Sequence, residues 1–147
     1  MQRQMLKSKI HRATVTDCDV DYVGSLTLDP ELMRQADLLP NEQVHVWDIA
    51  NGARFVTYAI EGEPGSGTVQ INGAAALLVN VGDKVIVASF AAYDDRELET
   101  HSPIVVHVDD RNAVVAVDSD PSVLLAAHPE QEMFPLDTSF GVGEGLL

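Results

Sequence analysis

Three short stretches of this 147-residue chain hold residue types that could do chemistry. The first is Gly24-Ser25. A serine hydroxyl can attack the carbonyl of the residue before it. The ester so formed can lose its carboxylate by β-elimination, and hydrolysis of the dehydroalanine left behind gives a pyruvoyl group at a new N-terminus. Glycine before the serine leaves the carbonyl uncrowded and permits strained backbone. Gly65-Ser66 is a second copy, and on the dipeptide alone a bend is the plainer reading.

The second stretch carries Arg54, Thr57 and Tyr58 on one predicted strand. Arginine can hold a carboxylate through two parallel hydrogen bonds, and tyrosine can donate a proton. Period-2 alternation puts Arg54 and Tyr58 on one face and Thr57 on the other. An exposed arginine beside a half-buried aromatic would leave the same pattern. Lys9 could pair with an anion or stand as a solvated strand charge. The third stretch is Asn72-Gly73-Ala74-Ala75-Ala76, where Asn72 caps a short helix. Backbone N–H groups at such a start can bind a carboxylate or an oxyanion.

Other chemistries find less support. The five histidines, His11, His45, His101, His107 and His128, form no His-x-x-x-His pair, so no metal site is expected. A Ser25–His11 hydrolase would lack the Gly-x-Ser-x-Gly elbow, and no phosphate-binding glycine loop is present. Cys18 is the single cysteine, flanked by Asp17 and Asp19, where negative charge disfavours a thiolate.

Length and composition suit one globular domain. Net charge is −14, which disfavours nucleic acid and anionic membranes as partners. No apolar run approaches a membrane span, and the start has no apolar signal-peptide centre, so a cytoplasmic protein is expected. Four of the nine Lys and Arg residues, Arg3, Lys7, Lys9 and Arg12, precede the first acid, Asp17. That basic island suggests a local anionic ligand, or an edge strand guarded by charge.

The elements that must position these residues are short. Strands are predicted at 11–16, 22–28, 44–49, 54–60, 68–71, 84–88, 104–108 and 113–117, with Asp17-Cys18-Asp19 as punctuation after the first. Asp29-Pro30-Glu31 starts a helix, with Asp as N-cap and Pro at N1. Asn51-Gly52 marks a hairpin. A short helix over 73–79 and a helical turn at 94–98 complete the set. Many short strands with brief helices call for a small β-barrel, mainly β in class. Residues 119–147 read as an acidic, flexible C-terminal tail in which Phe134 and Phe140 could dock locally.

These pieces in this order resemble the bacterial pyruvoyl-dependent aspartate 1-decarboxylase family. The resemblance rests on the runs 5–16, Tyr22-Val23-Gly24-Ser25, 51–60, Asn72-Gly73-Ala74-Ala75-Ala76 and Val81-Gly82-Asp83. It covers roughly residues 1–118, the domain as delimited above. It implies a double-psi β-barrel assembled as a homotetramer, with active sites between subunits. It further implies a zymogen that cuts itself into a β chain, 1–24, and an α chain, 25–147, whose covalent pyruvoyl cofactor comes from Ser25. No metal and no pyridoxal phosphate would be needed, although some members require a maturation factor. The reaction would take L-aspartate through a Schiff base to β-alanine and CO2, toward pantothenate and coenzyme A.

By the same resemblance Tyr58 returns a proton to the carbanion, and Lys9 and Arg54 hold substrate carboxylates. Thr57 and the Gly73-Ala74-Ala75 backbone line the substrate site. Thr57 and Asn72 assist cleavage at Gly24 and Ser25, and Tyr22 and Trp47 shape the site. Strand alternation separates Thr57 from Tyr58, so a bend or the use of both faces at a subunit boundary is required. Two departures stand out. The chain has Glu63-Pro64-Gly65-Ser66 where the family usually has Glu-Arg-Gly-Ser, and Leu77 where it often has His. The alternative is an uncleaved binding module of the same fold.

Overall fold

The computed structural model describes residues 1–122. The expected tail mobility and the docking of Phe134 and Phe140 concern residues that, from 123 on, lie outside the described ones. The elements are β1 (Arg3–Thr14), β2 (Asp17–Asp19), β3 (Ser25–Leu28), α1 (Pro30–Gln35), β4 (Gln43–Asp48), β5 (Arg54–Glu61), β6 (Val69–Asn72), a 3-10 helix (Gly73–Leu77), β7 (Lys84–Tyr93), α2 (Asp95–Leu98), β8 (Ile104–Val108) and β9 (Val114–Asp118). Nine strands form one sheet in the order β2-β6-β3-β5-β4-β7-β1-β8-β9. Three pairs, β2–β6, β3–β5 and β1–β8, are parallel between strands far apart in sequence. The result is mainly β with short helices, as expected.

The core is aliphatic. Ile10, Leu26, Leu28, Val44, Val46, Val69, Ile71, Val85 and Val106 are fully buried and pack with Leu32 and Met33 of α1. Asp29 caps α1 as its sequence suggests: Oδ1 accepts from the Glu31 and Gly65 amides, and Oδ2 from Gly67. Burial alone would raise this carboxyl. The three backbone donors outweigh it and hold Asp29 below the ordinary carboxylate value. The Asn51-Gly52 turn also forms as read, with Gly52 at φ +77° and its amide on Asp48 O at 2.8 Å.

Four local readings are corrected. β1 begins at Arg3, well before 11, because register shifts between Leu6 and Ser8 and between Ile10 and Ala13 break the alternation that marks a strand. Asp17-Cys18-Asp19 is a strand, paired in parallel with β6. β3 begins only at Ser25, and Tyr22-Val23-Gly24 lie in the turn before it. β7 runs on to Tyr93, five residues past the predicted end at 88.

Candidate active site

β3 and β6 run antiparallel with Ser25 opposite Asn72 and Thr27 opposite Gln70. Paired residues present side chains on one face, so four polar groups meet there. Ser25 and Asn72 are each 1% exposed. Asn72 Nδ2 donates to Ser25 Oγ at 2.9 Å and to Thr27 Oγ1 at 2.9 Å. Its Oδ1 accepts from Gln70 Nε2 at 2.7 Å, which fixes the amide's orientation. Ser25 Oγ in turn donates to Val23 O at 3.1 Å.

Asn72 does not cap the following 3-10 helix through its side chain. Its amide is spent on Ser25 and Thr27 instead, a more specific use than capping. Thr27, Gln70 and the Val23 carbonyl were not singled out from sequence. Period-2 reading of 25–27 and 70–72 as facing strands would have found the first two.

Backbone strain lies at Gly73 and not at Gly24. Gly73 has φ +71°, and a Cβ there would stand 2.6 Å from Gly24 Cα and 3.1 Å from Gly24 N. A Cβ on Gly24 would meet nothing within 4 Å. The backbone at Gly24 is therefore seated directly on that of Gly73. Gly65-Ser66, the other dipeptide, sits in an exposed turn, where Ser66 Oγ donates to Glu63 O at 2.6 Å.

A cavity of about 660 Å³ opens over this junction, lined by Gly24, Thr57, Tyr58, Asn72, Ala74 and Ala75, with Phe55, Val56, Leu77 and Leu78 as its apolar wall. Thr57 and Tyr58 both reach it. The burial pattern along β5 loses its alternation at these two residues, both half-buried, so neighbours from opposite faces share one cavity. Leu77 is 77% exposed at its rim.

Arg54, Trp47 and Lys9 lie elsewhere in the single chain. The exposed Arg54 guanidinium stacks 4.5 Å over the Trp47 ring, which its cross-strand pairing supplies. Lys9 faces Ala88 on β7, Ala88 faces His45 on β4, and His45 faces Val56 on β5. Three strand spacings put Lys9 roughly 14 Å from β5. Tyr22 is 46% exposed in the turn before Ser25. His11 sits on β1 with its ring 5.9 Å from that of His107, and the contacts to Ser25 Oγ come from Val23 and Asn72, so the Ser25–His11 pairing is not formed.

Sheet and cavity together define a small, mainly β protein with polar side chains gathered beside the Gly24-Ser25 junction. The family described as Aspartate decarboxylase matches residues 1–115. An Aspartate 1-decarboxylase of Mycolicibacterium smegmatis is 57% identical over 122 residues, 83% of this chain and 90% of that one. One from Thermoanaerobacter pseudethanolicus is 59% identical over 115 residues, 78% of this chain and 98% of that one. Among solved structures, the rationally designed mkDPBB_sym_86 protein aligns at 20% identity with a TM-score of 0.41, over 52% of this chain and 90% of that one. The chain belongs to the aspartate decarboxylase family.

No helix among the described residues is long and apolar enough to cross a membrane.

Proposed function

We propose that this chain is a precursor that cuts itself between Gly24 and Ser25 and then removes the C1 carboxylate of L-aspartate, giving β-alanine and CO2. The observation that carries the reading is the buried Ser25 hydroxyl, held by Asn72 beside a cavity that Tyr58 also lines. In the cut, Ser25 Oγ attacks the Gly24 carbonyl carbon, the Gly24–Ser25 amide C–N bond breaks, and the hydroxyl proton passes to the released Ser25 nitrogen, leaving an ester and an amine. Asn72 donates to the attacking oxygen and fixes its position beside the Gly24 carbonyl. Loss of the Ser25 α-proton expels the Gly24 carboxylate. Water then displaces ammonia from the dehydroalanine, leaving a pyruvoyl group at residue 25.

The site fits that group, since the residue that becomes it is buried, hydrogen-bonded by the Asn72 amide, and flanked by Gly24 and Asn72, which line the cavity. When formed, it supplies the electron sink that decarboxylation needs. The chain's own residues do the rest. Tyr58 carries the proton returned to the substrate carbon. Thr57 and the Gly73-Ala74-Ala75 backbone line the substrate's seat. Arg54, aligned by Trp47, and Lys9 hold the two carboxylates. Lys9 stands three strands from Arg54 within one chain. The reading sets the complete site between subunits of a homotetramer, with Tyr22 near the boundary. A maturation factor belongs to the reading only where cutting is slow. We place the catalytic domain at 1–118, the segment 119–147 outside it, and the protein in the cytoplasm.

The test is the intact mass of the denatured protein together with β-alanine formation from aspartate. Two fragments, 1–24 and a pyruvoyl-blocked 25–147, with β-alanine produced, are expected. A fully cut protein that makes no β-alanine would overturn the reading. A chain that stays intact and binds a ligand would establish the non-catalytic module instead.

A further inference from the structure

The end of β9 is built against Lys9. Strand register puts Lys9, Val105 and Asp118 in one row across β1, β8 and β9, so their side chains leave one face. Two residues along the same face, His11 and His107 meet edge to face. His107 is fully buried, and its Nε2 lies 2.9 Å from Asp118 Oδ2. Beyond β9 the chain turns back through Asp120, which accepts from Ser122, and the Pro121 carbonyl accepts from Lys9 Nζ at 3.2 Å. Burial draws the Lys9 amine below its ordinary value, and the charge of Asp118 opposes that pull.

A lysine that must hold an anion while half out of water needs a counter-charge that does not occupy it. A carboxylate in direct contact would compete with the ligand. One set two strand spacings away, roughly 10 Å between main chains, acts through space and does not compete for the N–H groups that the Pro121 carbonyl leaves over. We propose that Asp118 is a positioning residue that keeps Lys9 cationic, and that His107 holds Asp118 in place for this task. Among the described residues, the register also sets His11 on the same strand and His45 across Ala88 near Lys9, and Asp120 precedes the Pro121 carbonyl that Lys9 bonds. Only the link to substrate binding rests on the function proposed above.

The experiment is a titration of the Lys9 side-chain signal by NMR in the full chain with labelled lysine, the signal being assigned with Lys9→Met. At low salt, Asp118→Asn lowers the Lys9 midpoint by roughly half a pH unit. Asp118→Glu restores it, and His107→Gln lowers it by releasing Asp118. An unchanged midpoint in folded Asp118→Asn overturns the proposal. Should that variant not fold, an unchanged midpoint in His107→Gln does the same. In processed protein, Asp118→Asn raises KM for aspartate on the alkaline side while kcat holds. A lowered midpoint without any change in KM would uphold the role of Asp118 and remove Lys9 from the carboxylate site.

Discussion

Asn72 divides one amide group between Ser25 Oγ and Thr27 Oγ1, each at 2.9 Å, while Gln70 holds its carbonyl end. A single fixed donor thus governs where the Ser25 hydroxyl stands relative to the Gly24 carbonyl. The arrangement holds the Ser25 hydroxyl rather than capping a helix, and its removal tests the proposed cleavage directly.

Asn72→Ala is expected to slow self-cleavage by about 10²-fold, the scale of cost for misplacing a reacting group by about 1 Å. Ser25→Ala should abolish cleavage and activity together. Both are read from the ratio of intact to cut chain over time by mass. Cleavage of Asn72→Ala at the native rate would remove Asn72 from the mechanism.

Tyr58→Phe should cut normally and turn over slowly. The Tyr58 side chain shares the cavity with Gly24 but is not bonded to Ser25 Oγ, whose contacts come from Val23 and Asn72. The expected loss in kcat is roughly 10²–10⁴-fold, the range for a missing general acid. A variant blocked in cleavage but, once cut, normal in rate would contradict the role.

Gly73→Ala combines two penalties. At φ +71° an L-residue costs about 1–2 kcal/mol. The added methyl also meets Gly24 Cα at 2.6 Å, so the Gly24-Ser25 junction must shift. Thermal unfolding should fall by several degrees, and cleavage should slow more than in a stability-matched variant elsewhere in the fold. Wild-type cleavage in Gly73→Ala would show that the junction tolerates displacement.

Asp48 carries a pH signature. Burial, with the neighbouring Asp83 carboxyl, pushes it from 3.8 to about 6. Between these values the folded protein holds a proton that the unfolded chain has released. This stabilising contribution is therefore full below about pH 4 and lost as pH rises through about 6. Asp48→Asn keeps an oxygen for the Ala50 amide, which Oδ1 now accepts at 2.8 Å, and removes the titration. Relative to wild type its Tm should gain about 2–5 °C between pH 4 and 7. A pH-independent difference between the two proteins would sink the assignment.

Local chemistry was the legible part of the sequence. Asp29-Pro30 announced a capped helix, and Asn51-Gly52 a turn, because each dipeptide fixes its own backbone. The motif residues Gly24, Thr57, Tyr58, Asn72, Ala74 and Ala75 do line one cavity. What escaped depends on pairing between strands distant in sequence. The early start of β1 is hidden by its bulges, and the partner of Asn72 is set by the β3–β6 register. The shared cavity of Thr57 and Tyr58 arises where β5 departs from strict alternation, a departure that period-2 reasoning excludes by construction.

β1 runs through the interior of the sheet between β7 and β8, with Ile10 and Ala13 at zero exposure. A cut after Gly24 would turn that strand into a separate peptide threaded through the body of its partner. Folding of the precursor is a first-order event. Refolding of the mature protein would need two molecules to find each other, with a rate that falls on dilution. Such a cut would convert a unimolecular fold into an assembly whose recovery after melting slows as the protein is diluted.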